Sequence, residues 1–212
     1  MWPELTRATP ADRERVLTTV LSALRHDPVF AFFFPDPETF DLDSRALVGH
    51  LFDKRVRQGT VWIACGGASV SMWKAPGSER GDLGVAPEFF GETANRLTHY
   101  GDVLNPLLPK ADHWYLGVVA THPHHAGSGL EPAVMGPGLQ SAAEAGLPVY
   151  LETSVLENVD RHRREGFVVE SQVMLRDLPI WVMRKDPISL SPNFKTSGTR
   201  RDMDQQEHSS EQ

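Results

Sequence analysis

Apolar positions recur at three- and four-residue spacing in the first quarter of the chain, then give way to short, dense apolar runs. In ATPADRERVLTTVLSALRHDP, Val16, Val20, Leu21 and Leu24 mark one face of a helix, with Thr9 placed to cap it and Pro10 at its first position. SRALVGHLFDKRVRQG predicts a second amphipathic helix ended by Gly59. Between them lies VFAFFFPDP, an aromatic stretch closed by two prolines. TVWIACG and ASVSMWKAP, separated by Gly66 and Gly67, predict a β-hairpin. APEFFGETANRLTHYGDVLNPLLPK predicts a broken helix, and HWYLGVVAT a central strand apolar on both faces. A glycine turn, a helix to Ala145, a strand PVYLETS, a short helix ENVDRHRREG and strands FVVESQVML and IWVMRK complete the pattern. Residues 1–187 are expected to form one α/β domain. Residues 188–212 carry too few large apolar groups to offset their ordering entropy and predict a disordered polar tail.

With 212 residues and 40% hydrophobic composition, a single core suffices. The formal charge of -7, with no basic stripe, argues against a nucleic-acid partner. No segment approaches the ~20 apolar residues that span a bilayer, and the start MWPELTRATPADRERV lacks an apolar leader, so neither membrane insertion nor export is expected and the protein is read as cytoplasmic. Cys65, single and inside an apolar run, is expected to be a buried core thiol without chemistry. His122, His124 and His125 crowd one loop without a Cys or carboxylate at diagnostic spacing, so no metal site is assigned.

The stretch ATHPHHAGSGLEPAVM reads as strand, glycine turn and helix. A helix N-terminus leaves N–H groups unpaired and carries partial positive charge, so such a turn suits a phosphate. A Gly-x-Gly alone also describes an ordinary strand-to-helix turn.

The order of elements, with the segments WYLGVVATHPHHAGSGL, AEAGLPVYLETS, ENVDRHRREGF, GTVWIA and SMWKAPG, resembles the GNAT acyltransferase superfamily, and within it the antibiotic-acetylating branch that includes puromycin N-acetyltransferase. The resemblance covers roughly residues 5 to 186. It implies a GNAT fold, a central mixed, mostly antiparallel β-sheet flanked by helices. It also implies direct transfer of an acyl group from acetyl-CoA or another acyl-CoA to a small-molecule amine, in an antibiotic or secondary-metabolite setting. By the same resemblance Val118, Val119 and Ala120 pair with the pantetheine arm, Ala126, Gly127, Ser128, Gly129 and Leu130 hold the pyrophosphate, and Asn158 also lies against the cofactor. His162 takes the place of a tyrosine that protonates the departing thiolate, and an imidazole is capable of that near neutral pH. An exposed helix face within RHRRE is the competing reading of His162. Glu152 is the candidate base for the substrate ammonium, unless it is a structural partner of Arg163 or Arg164. Phe30, Phe33, Phe34 and Trp73 are expected to line the acceptor pocket, with Phe89 and Phe90 beside them.

Several residues depart from the family pattern. Ser128 stands where a basic residue would offer charge-assisted bonds worth about 1.5–3 kcal/mol. Glu131 replaces a small residue and puts a carboxylate in competition with the pyrophosphate. Pro132 removes an N–H, and Arg161 replaces an apolar packing residue. Two functions therefore fit the sequence. One is an acyl-CoA-dependent N-acyltransferase, and the other a GNAT-fold protein that has lost productive acetyl-CoA use and serves as a different enzyme or binding module. The oligomeric state is not legible.

Overall fold

The computed structural model of the chain describes residues 3–77, 89 and 91–187. The C-terminal tail and Phe90 lie outside these residues. Among the described residues, seven strands form one sheet in the order β1-β2-β3-β4-β5-β7-β6. They are β1 (Leu5–Arg7), β2 (Val61–Ala64), β3 (Ser69–Lys74), β4 (Trp114–Thr121), β5 (Val149–Thr153), β6 (Val168–Leu175) and β7 (Leu178–Lys185). Every pairing is antiparallel except β4 with β5. This is the mixed, mostly antiparallel sheet of the GNAT fold.

The described α-helices are α1 (Arg13–Leu24), α2 (Pro28–Phe33), α3 (Phe40–Arg57), α4 (Gly91–Leu104), α5 (Leu130–Glu144) and α6 (Leu156–Arg164). One apolar cluster joins Val16, Leu17 and Val20 of α1 to Leu47, Val48 and Phe52 of α3 and to Val70 and Met72 of β3. A second joins Val134, Met135 and Ala142 of α5 to Trp62, Trp73 and Leu151. These two clusters put α1 and α3 on one side of the sheet and α5 on the other, because successive strand residues face opposite ways. The parallel β4–β5 pair needs a crossover, and α5 supplies it.

Two features of β4 shape the centre of the molecule. Its pairing with β5 covers Trp114, Tyr115 and Leu116, while both strands run on beyond those positions. The strands therefore part, and unpaired backbone faces a gap. On the other edge, Met72 pairs with Val118 and Trp73 with Leu116, which leaves Gly117 as the extra residue of a β-bulge. A Cβ built on Gly117 would lie 2.7 Å from Nη2 of Arg55, so a glycine is what lets that guanidinium sit against the strand.

Three local expectations are corrected. β1 is absent from the hydrophobic pattern because its three residues, Leu5, Thr6 and Arg7, are all exposed on an edge strand. Cys65 is exposed, not buried: the strand ends at Ala64, and Cys65 opens the hairpin turn with φ of 48°. Trp73 is fully buried against α5, its Nε1 donating to Ser71 Oγ at 3.0 Å, so it lines no acceptor pocket. Strand alternation sets this face: Trp73 lies beside Ser71, whose hydroxyl donates to the carbonyl of Val134 in α5 at 2.7 Å, while Val70 and Met72 point to the α1–α3 side. No helix among the described residues is long and apolar enough to cross a membrane.

Candidate active site

The gap between β4 and β5 opens into two adjoining cavities. The larger, of about 620 Å³, runs along Val119, Ala120 and the turn from His125 to Pro132 and reaches Asn158, Arg161 and His162 of α6. The smaller, of about 160 Å³, lies deeper, with Phe30, Phe33, Leu97, Arg55, Tyr115 and Glu152 in its wall. Leu24, Asp27, Val119, Asn158 and His162 belong to both, so the cavities meet where the strands separate.

The glycine turn has the conformation its residues suggest. Gly127 and Gly129 have φ of 73° and 75°, in the left-handed region that costs an L-residue about 1–2 kcal/mol. A Cβ on either would meet nothing within 4 Å, so the space before them is open. Gly129 is the N-cap of α5 and brings no side-chain cap, which leaves the first-turn N–H groups for another acceptor. Ala126, Ser128 and Leu130 line the same cleft. The Ser128 hydroxyl donates back to the carbonyl of His125 at 2.5 Å, so its proton is already engaged within the loop. Among the residues expected along the cofactor, Val118 alone lines only the smaller cavity, where it packs into the core cluster of α1 and α3.

Glu131 is not a free anion. Its Oε2 accepts from Nη1 of Arg161 at 2.7 Å, so the two departures from the family pattern form one ion pair across the mouth of the cleft. His162 is 4% exposed, which excludes the exposed-face reading. Its ring packs edge-on to Phe167 at 5.7 Å, and Nδ1 stands 3.9 Å from Oε2 of Glu165, too far for a hydrogen bond, with neither atom otherwise paired. One ligand atom from each of Glu131, His162 and Glu165 lies within 4.8 Å of the others, but Arg161 already balances the first of these carboxylates.

Glu152 does not pair with Arg163, which bonds Asp160 at 3.0 Å. Its Oε1 accepts from Tyr100 Oη at 3.0 Å, and its Oε2 accepts from Tyr115 Oη. Burial pushes the Glu152 carboxyl above the ordinary carboxylate range, while the two tyrosine hydrogen bonds and the Arg55 charge pull it back. Burial and the same carboxylate hold both phenols well above their usual value, so they remain donors. Arg55 is 6% exposed, and its Nη1 has no partner. Asp27 caps α2, accepting from the N–H groups of Val29 and Phe30 at 2.8 and 3.2 Å, and burial raises its carboxyl.

Of the expected acceptor residues, Phe30 and Phe33 line the smaller cavity. Phe34 turns away into the core against Phe40 and Phe89, with ring centroids at 6.1 and 6.4 Å, because neighbours on a one-turn helix point in different directions. Sequence reasoning missed Arg55, Tyr100, Tyr115 and Asp27. One signal existed: Val48, Phe52 and Arg55 share a helical stripe, so a cation occupies an apolar position.

No family model matches the chain. A curated relative, an uncharacterized N-acetyltransferase of Schizosaccharomyces pombe, is 25% identical over 205 residues, covering 85% of this chain and 82% of its own. Among solved structures, a Corynebacterium glutamicum protein described as histone acetyltransferase HPA2 and related acetyltransferase is 26% identical. It covers 88% of this chain and 97% of its own, with a TM-score of 0.66. The mosquito arylalkylamine N-acetyltransferase like 5b is 15% identical over 87% and 99%, with a TM-score of 0.63, and supports the fold. The sequence relative and these structures support the resemblance to the GNAT N-acetyltransferases.

Proposed function

We propose that this chain, a GNAT-type acyltransferase, moves the acyl group of acetyl-CoA or another acyl-CoA onto the amine of a small apolar or aromatic acceptor. The observation that carries the proposal is the junction of the two cavities at the β4–β5 gap, with open helix N–H groups at one end and a half-buried carboxylate at the other. The acyl-CoA supplies the thioester carbon, at which a C–N bond forms as the C–S bond breaks.

The chain's own groups divide the remaining work. Gly127 and Gly129 let the pyrophosphate approach the α5 N-terminus, where backbone donors and the helix dipole balance its charge. Val119 and Ala120 offer strand backbone to the pantetheine arm, and Asn158 stands at the junction. Phe30 and Phe33 enclose the acceptor. Glu152 takes the proton from its ammonium, and the raised carboxyl suits it to proton transfer near neutral pH better than an exposed glutamate. His162, in the wall of both cavities, returns a proton to the thiolate. Pairing of Glu131 with Arg161 and burial of His162 remove two grounds for a repurposed, inactive fold. The apolar walls suit an aromatic amine better than a sugar, as the likeness to the antibiotic-acetylating branch suggests, and the arylalkylamine enzyme of the mosquito agrees with that class.

The test is thiol release from acetyl-CoA with an aromatic amine, in wild type and Glu152→Gln. The variant is expected to lose about 10²–10⁴-fold in turnover at neutral pH and to regain part of it as pH rises and free amine accumulates. Wild-type rates should climb as Glu152 loses its proton, over a range displaced upward from that of an ordinary carboxylate. Undiminished turnover of Glu152→Gln at neutral pH removes Glu152 as the base.

A further inference from the structure

We infer that the acceptor carries a carboxylate as well as its amine: the smaller cavity fits an amino acid with an apolar side chain, its carboxylate on Arg55 and its ammonium on Glu152. This rests on the acyltransferase reading. Arg55 is buried in the sheet-facing stripe of α3, and an arginine stays charged in proteins. Burying an unpaired cation is costly, and a fold retains one where something pairs with it. Among the described residues no carboxylate lies within ion-pair distance of the guanidinium, and Nη1 is shut off from solvent without an acceptor.

The seat of this cation is built rather than incidental. Gly117, the bulged residue of β4, clears the space that the guanidinium occupies, since a Cβ there would meet Nη2, Nη1 and Cζ at 2.7, 2.9 and 3.1 Å. Arg55 and Glu152 face one cavity and are in electrostatic reach of each other, yet both oxygens of Glu152 are engaged by tyrosines instead of by Arg55. A cation and an anion held apart in one apolar pocket match a zwitterion. A carboxylate retains lone pairs beyond those two tyrosine bonds, so Glu152 can still accept from the acceptor ammonium. In the reaction that ammonium gives one proton to Glu152, its nitrogen bonds the acyl carbon, and the C–S bond breaks with its electron pair on the CoA sulfur. The thiolate takes a proton from His162, the nitrogen's second proton passes to solvent, and CoA and an N-acyl amino acid leave, the product's carboxylate still on Arg55.

Calorimetric titration of the full chain, with and without saturating CoA, compares phenylalanine and tryptophan with phenethylamine and tryptamine, which differ from them by the carboxylate. The amino acids are expected to bind about 10- to 100-fold more tightly. Equal or weaker binding by the amino acids, or none at all, overturns the inference. Arg55→Met should weaken phenylalanine binding by a similar factor and abolish most of its preference over phenethylamine. If that variant fails to fold, the wild-type comparison decides by itself, and Arg55→Lys, which keeps the charge, should retain part of the preference. Thiol release with the same panel separates the two readings. Release without preference for the carboxylate sinks only the zwitterion, whereas preferential binding without release sinks the acyltransferase and leaves the carboxylate site standing.

Discussion

His162 shows how far a single residue can be read. Its neighbours Arg161, Arg163 and Arg164 make the run look solvated, yet helical spacing sets Val159 and His162 on one stripe, and both are buried. The charges belong to the flanks of α6, where Arg161 reaches Glu131 and Arg163 reaches Asp160. In the proposed role of thiolate acid, His162 would act in the chemical step and not in binding. His162→Ala should therefore lower turnover in steady-state assays by about 10²-fold or more while leaving acyl-CoA affinity nearly unchanged. Removing a buried ring beside Phe167 should also cost about 1–3 kcal/mol of stability, so the kinetics belong at a temperature where the variant is folded. His162→Tyr should keep activity and shift the alkaline limb of its pH profile upward, since a phenol ordinarily titrates well above an imidazole. Full turnover by His162→Ala returns the residue to a packing role. Glu152 is legible as a lone carboxylate in an apolar strand, but its partners are not, because Tyr100 and Tyr115 come from α4 and β4, 52 and 37 positions away.

Elements are easier to read than the faces they present. Helices α1 and α3, with apolar residues at three- and four-residue spacing, and the dense apolar runs of β4 and β5 stand close to where the sequence puts them, because such patterns are local properties. Faces and ends depend on partners. Trp73 reads as a pocket residue although strand alternation sets it beside Ser71 on the α5 face, and Cys65 reads as strand core although the strand stops one residue earlier. The seam between β3 and α5 provides a test of that register. A Cβ built on Gly138 would lie 2.2 Å from Cε2 of Trp73, whereas one on Gly136, a half-turn away, meets nothing within 4 Å. Gly138→Val should destabilise the protein by about 1–3 kcal/mol or more through overpacking. Gly136→Ala should be neutral or stabilising by up to about 1 kcal/mol, through helix propensity. Thermal melts monitored by circular dichroism check the pair, and a Gly138→Val protein that melts with the wild type contradicts the packing of Trp73 on α5.

At the scale of the molecule, the sheet and its helices are legible from the succession of elements, but the cavities are not. They arise where β4 and β5 stop pairing after Leu116 and Leu151, a feature of strand divergence that no local pattern encodes. The same divergence sets the uncapped N-terminus of α5 and the Glu152 carboxylate on one gap. Titrating the folded protein with acetyl-CoA in a calorimeter tests whether the glycine turn receives the pyrophosphate of an acyl-CoA. Saturable one-to-one binding is expected, weakened at least several-fold in Gly129→Val, where a β-branched residue would be forced to φ of 75° and backbone access would close. A folded wild-type protein that gives no binding heat and no shift in melting temperature with acetyl-CoA would contradict it.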